Sequence, residues 1–149
     1  MKTRFSSLVT LKKSTMKKSE RAVQSANADL NSAHMALEIS KNSLSSIDMP
    51  QSGIMNDFLA SRRLLDSGRE LIQHNQKWVE YSKNQVELAK EQLKLDMIEY
   101  EKFKYLDLQE IKKIIKKRKI EESKDLDEVA LMTHVRKNSN QNADNHKAI

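Results

Sequence analysis

Apolar residues recur every seven positions in two blocks of the chain. The first block is Val9, Met16, Val23, Leu30, Leu37 and Leu44. Its companion seam positions are Phe5, Lys12, Ser19, Ala26, Ala33, Ser40 and Ile47, most of them small or polar. The second block is Phe58, Leu65, Ile72, Val79, Val86, Leu93 and Tyr100, accompanied by Ser61, Gly68, Asn75, Ser82, Ala89, Asp96 and Phe103. A sustained seven-residue repeat predicts helices that wind around a partner. Each block has one bulky half and one nearly empty half.

Between the blocks lies Asp48-Met-Pro-Gln-Ser-Gly53, which holds the sole proline and one of the two glycines. Such a cluster is a turn signal. Two helices joined by one short turn run antiparallel, so the bulky half of one arm faces the empty half of the other. The expected register sets Leu44 against Ser61, Leu37 against Gly68, Leu30 against Asn75 and Val23 against Ser82. Phe5 closes the far end against Tyr100. Large-into-small layering lets the backbones approach without voids.

The fold class is therefore all-α: a long antiparallel two-helix coiled-coil hairpin with an overhanging second helix. Helix 1 is expected over about 4–48, the turn over about 49–54 and helix 2 over about 55–137, with a polar flexible tail at 138–149. Helix 1 covers only the first part of helix 2, which at 1.5 Å per residue is about 120 Å long.

Composition supports this picture. Two glycines, one proline and 5% aromatic residues in 149 leave little for loops, strands or a thick core. The absence of cysteine removes disulfides, thiolate metal sites and a thiol nucleophile. No apolar run approaches the ~20 residues of a membrane span, and the N-terminal stretch lacks the apolar run of a signal peptide. A soluble, intracellular protein is expected.

Chemistry is sparse. The four histidines, His34, His74, His134 and His146, do not converge with further ligands, and no phosphate-cradling or metal-binding motif occurs. A two-helix hairpin offers little concavity for catalysis. Neither an enzyme nor a cofactor is expected.

Charge is more informative. The formal net charge is +6, and it is concentrated. Residues 2–21 carry seven bases and one acid, and residues 101–120 carry eight bases and three acids. In the expected hairpin both runs fall at one pole, which would steer an acidic partner. The run Ile111–Ile120 (IKKIIKKRKI) reads either as a solvated helix face or as a docking segment for an acidic protein, nucleic acid or an anionic membrane. Leu64, Leu71 and Trp78 form a flank stripe beside the seam, either widening it or offering a binding anchor. Leu126, Val129, Ala130 and Val135 share a helical face with no intrachain partner, so another protein or a second copy should cover it.

The opening MKTRFSSLVTLKK resembles the N-terminus of the flagellar export protein FliJ family: a basic start, then phenylalanine and an apolar, lysine-containing helix. Leu126–Arg136, with Asp127-Glu128 followed by apolar residues and Arg136, resembles that family's C-terminal end. The likeness spans residues 1 to about 137. It implies a non-enzymatic, cytoplasmic component of the flagellar type III export apparatus, held peripherally at the inner face of the membrane at the flagellar base. It further implies a stalk-like coiled coil that contacts the hexameric export ATPase and the cytoplasmic domain of the export gate. A role as chaperone or escort, touching export chaperones or exported subunits, is also implied.

With the family as guide, charge and exposure select Arg4, Lys12, Lys13, Lys17, Lys18, Lys112, Lys113, Lys116 and Lys117 for the ATPase side. Phe58, Leu64, Leu71 and Trp78 are selected for the turn end, facing the gate. The competing reading is a basic coiled coil associated with nucleic acid or an anionic membrane surface. Against it stand the lack of stacking aromatics and of a zipper following the lysine cluster.

Overall fold

In a computed structural model, described over residues 1–147, the chain forms two helices and no strand. Helix α1 spans Ser6–Ser45 and α2 spans Met55–Lys147. They pack as an antiparallel hairpin. Two compact units divide the chain: Leu8–Lys102, and Met1–Ser7 together with residues from Phe103 onward.

Local chemistry starts and stops each helix. Thr3 caps α1: its Oγ1 accepts a bond from the Phe5 amide at 3.1 Å, and Ser6 Oγ accepts one from the Thr3 amide at 2.8 Å. This reciprocal pair satisfies amides that the first turn leaves open. At the other end, the Ser45 and Ser46 hydroxyls bond back to the carbonyls of Asn42 and Ser43. The connection then runs through Pro50 to Gly53, whose φ of 145° is a conformation only glycine adopts readily. The Asp57 amide bonds to the Ile54 carbonyl, and the Asp57 carboxylate lies in the first turn of α2, where the helix dipole favours negative charge.

The core of the Leu8–Lys102 unit is thin. Its buried apolar residues are Ala33, Val79 and Val86, and its buried polar residues are Ser19, Ser40, Asn75 and Ser82. Full burial of a valine contributes about 1.5–3 kcal/mol, so the seam relies on fit more than on bulk. Every buried side-chain polar atom among the described residues has a hydrogen-bond partner.

The observed register corrects the expected one by a single heptad. Leu44 lies against Gly68, where a Cβ would come within 2.8 Å of Leu44 Cδ1. Asn75 Nδ2 donates to Ser40 Oγ at 3.0 Å and to the Ala36 carbonyl at 3.2 Å. Ser19 bonds Asp96, and Lys12 pairs with Glu99. Carried along the seam, this offset sets Ala33 opposite Val79 and Ala26 opposite Val86. The expected register placed Asn75 against Leu30 and brought Ala33, which has no hydroxyl, to the place of Ser40. A buried amide left unpaired costs about 1–3 kcal/mol, which is enough to decide between two offsets that match bulk to gap equally well.

The second unit is held by polar contacts. Thr3 and Ser6 both bond the Asp107 carboxylate, Arg4 pairs with Glu110 at 3.6 Å, and the Arg4 guanidinium lies 4.9 Å from the centre of the Phe5 ring.

Helix α2 continues beyond residue 137, so the stretch expected to be a flexible tail is helical to Lys147. No glycine or proline follows Gly68. Ser139 Oγ bonds the Arg136 carbonyl, and Asn138 lies 3.3 Å from His134 Nε2, so local side chains support these turns. Residues 148 and 149, the end of the expected tail, lie outside the described residues.

The register predicts a cross-linking outcome. In this cysteine-free chain, the pair Leu44→Cys with Gly68→Cys should oxidise to an intramolecular disulfide. Leu37→Cys with Gly68→Cys should not, as read on non-reducing gels. Separately, Asn75→Ala should lower stability by about 1–3 kcal/mol in urea melts.

Candidate functional site

Among the described residues no group of three or more histidine, aspartate or glutamate side chains is placed to hold a metal. All four histidines are exposed. What the molecule presents instead is surface: exposed apolar side chains at regular spacing, and one dense block of cations.

In the Leu8–Lys102 unit, the turn-end candidates are all solvent-facing. Phe58 and Trp78 are exposed by 37% and 39%, and Leu64 and Leu71 by 59% and 51%. The flank stripe therefore does not widen the seam into a closed core. Sequence reasoning missed its continuation. Tyr81, Leu88 and Leu95 are again seven apart, begin one helical turn after Trp78, and are exposed. Beside Tyr81 and Leu88, small residues of α1, Ala22 and Ala26 among them, leave a shallow groove between the helices. A search for outward-facing heptads would have found this second stripe.

The basic residues of α1 in the same unit differ in freedom. Lys13, Lys17 and Lys18 are exposed, whereas Lys12 is half-buried and pairs with Glu99.

In the other unit, Arg4 is engaged by Glu110. Lys112, Lys113, Lys116 and Lys117 are exposed, and among the described residues no ion pair neutralises them. Ile111 and Ile114 are half-buried, while Ile115 is 40% exposed. From Ile115 to Lys147 every residue is exposed. Leu126, Val129 and Val135 stand in solvent at 69%, 59% and 65%, together with Leu131 and Met132. A solvated helix with that many open apolar side chains is a surface that a partner would cover.

Truncation separates the seam from the surface. Val86→Ala should lower stability by about 1–3 kcal/mol, whereas Leu64→Ala and Leu71→Ala should each stay within about 0.5 kcal/mol, measured by urea denaturation followed by circular dichroism.

Compared with known proteins, residues 1–139 match the family model described as Flagellar FliJ protein. No curated protein matches the chain. No solved structure matches it either.

Proposed function

The chain belongs to the flagellar FliJ family, whose members are components of the flagellar export apparatus, and from that premise we propose that it serves as a non-catalytic stalk and escort. On this reading it links the export ATPase to the cytoplasmic domain of the export gate, and it meets export chaperones or exported subunits there. It works in the cytoplasm at the inner face of the membrane. No helix among the described residues is long and apolar enough to cross a bilayer.

The observation that carries the proposal is the open extension of α2. Its last polar contact with the N-terminal segment among the described residues is Glu110 to Arg4, and from Ile115 to Lys147 every residue is exposed. The cations at Lys112, Lys113, Lys116 and Lys117 stand at the base of that extension. They supply steering toward an acidic surface and the rim contacts of a docked helix. Arg4, Lys12, Lys13, Lys17 and Lys18 add to the same basic character, with Arg4 and Lys12 already bound to acids. At the turn end, Phe58, Leu64, Leu71 and Trp78 offer apolar anchors for the gate, and aromatic anchors carry a large share of interface energy.

Reversing the four lysines to glutamate should weaken binding to purified export ATPase by about tenfold or more at physiological salt, and motility should fall. Unchanged affinity would remove these lysines from the interface. Leu71→Ala with Trp78→Ala should weaken gate binding and leave ATPase binding intact. Capture of nucleic acid with a steep salt dependence, in place of the ATPase, would favour the competing reading.

A further inference from the structure

The two flanks of the seam in the Leu8–Lys102 unit differ in character. On one flank, α2 carries Arg69, Glu80, Lys83, Glu87, Lys90 and Lys94. On the other it carries Leu71, Trp78, Tyr81, Leu88 and Leu95, all exposed. Helix α1 meets this second flank with small residues, Ala22, Ser25, Ser32 and Ala36. Ala22, Ser25 and Asp29 lie beside Tyr81, Gln85 and Leu88 in the shallow groove, so both helices present these heptad positions on one face. From Ala22 to Ser43 on α1, and from Ser67 to Leu95 on α2, Asp29 is the one acidic or basic residue at these positions, with His74 counted as neutral. The face is a ridge of bulk on α2 beside a furrow on α1.

We propose that this face pairs two copies of the chain about a two-fold axis parallel to the helices. Such an axis leaves no register to choose, because equal heights must face each other. The contact of Leu44 with Gly68 gives each α2 residue its level on α1. Trp78 is level with His34, which points to the charged flank, so it falls midway between Ser32 and Ala36 of the second copy. In the same way Tyr81 falls between Asp29 and Ser32 of the second copy, Leu88 between its Ala22 and Ser25, and Leu71 between its Ile39 and Ser43. Ridge enters furrow twice, once from each copy. The Tyr81 hydroxyl and the Gln85 amide come to the level of the second copy's Asp29 carboxylate, the one charge on the face.

Shape and area select this occupant and this orientation. An axis across the helices would set α2 on α2, bulk against bulk, and α1 on α1, gap against gap. A lone helix from another protein fills the furrow and leaves much of the ridge in water. From Leu71 to Leu95 the face is about 36 Å long, and two helices side by side are about 20 Å wide. One copy therefore covers about 700 Å² of the other, close to the ~800 Å² per partner of a standard interface, whereas a single helix covers about half of that. His74, Gln85 and Gln92 interrupt the bulk, which suits a pair in exchange with free chains and not an obligate dimer.

Leu71 and Trp78 are also assigned above to the gate, so a second copy and the gate compete for this face. The pairing itself is testable without any flagellar protein. Sedimentation of the full-length chain should show a monomer–dimer equilibrium. Each copy carries a net charge of +6, so the charges oppose pairing and added salt should strengthen it. Leu88→Glu, which puts a carboxylate between Ala22 and Ser25 of the second copy, should weaken the dimer by about tenfold or more with helicity unchanged by circular dichroism. The cysteine-free background allows a second readout. A Leu88→Cys chain mixed with an Ala22→Cys chain should form a covalent heterodimer on oxidation, while either chain alone should link far more slowly. A helical chain that stays monomeric to about 0.5 mM, where even weak helix pairs associate, would overturn the proposal. So would a dimer that salt dissolves, a dimer that Leu88→Glu leaves intact, or self-linking of either single-cysteine chain at the rate of the mixture.

Discussion

The hairpin depends on the bond from Asn75 to Ser40 and the Ala36 carbonyl. With Ala33, Val79 and Val86 as its buried apolar residues, the seam gains little from bulk, and bulk fits equally well one heptad away. The amide does not. It needs an acceptor on α1, and only the observed offset supplies Ser40 Oγ together with a backbone oxygen. Gly68 then lets Leu44 approach closely, and Ser19 and Lys12 meet Asp96 and Glu99. One buried polar group thus fixes where α1 ends along α2, and so where the long helix emerges without a partner. A buried amide whose side-chain partner exists at one offset is an economical way to specify register, since its unsatisfied alternatives are costly.

The fold was legible in the repeats. Two heptad blocks, one proline–glycine turn and an excess of helix formers leave almost no alternative to an antiparallel pair. The offset was not legible from size alone, because moving by seven residues carries bulky onto bulky and small onto small. Treating Asn75 as a small filler hid the group that settles the question, and the match of Phe5 to Tyr100 drew the pairing one heptad short. The helical stretch beyond residue 137 escaped for a related reason. Asparagine and serine are weak helix formers, but without a breaker they continue a helix already propagating, where each added residue needs no new nucleus.

The partner surfaces were partly legible. The lysine block and the stripe of Leu64, Leu71 and Trp78 stand out in sequence. Tyr81 and Leu88 did not, because attention rested on the seam heptads and these lie on the outside. The family supplies the setting, a flagellar export component, and the molecule supplies the means. It offers exposed apolar side chains around a thin core, and a block of cations, Lys112, Lys113, Lys116 and Lys117, that no acid among the described residues holds.

The uncovered stretch after Ile115 has a bearing on turnover. It is rich in lysine and arginine and lacks tertiary contacts, so its helix opens locally at little cost. An endopeptidase that cuts after basic residues would find its first substrate there. A partner seated on this stretch would shield it from such a cut, so occupancy and resistance to cleavage would rise together.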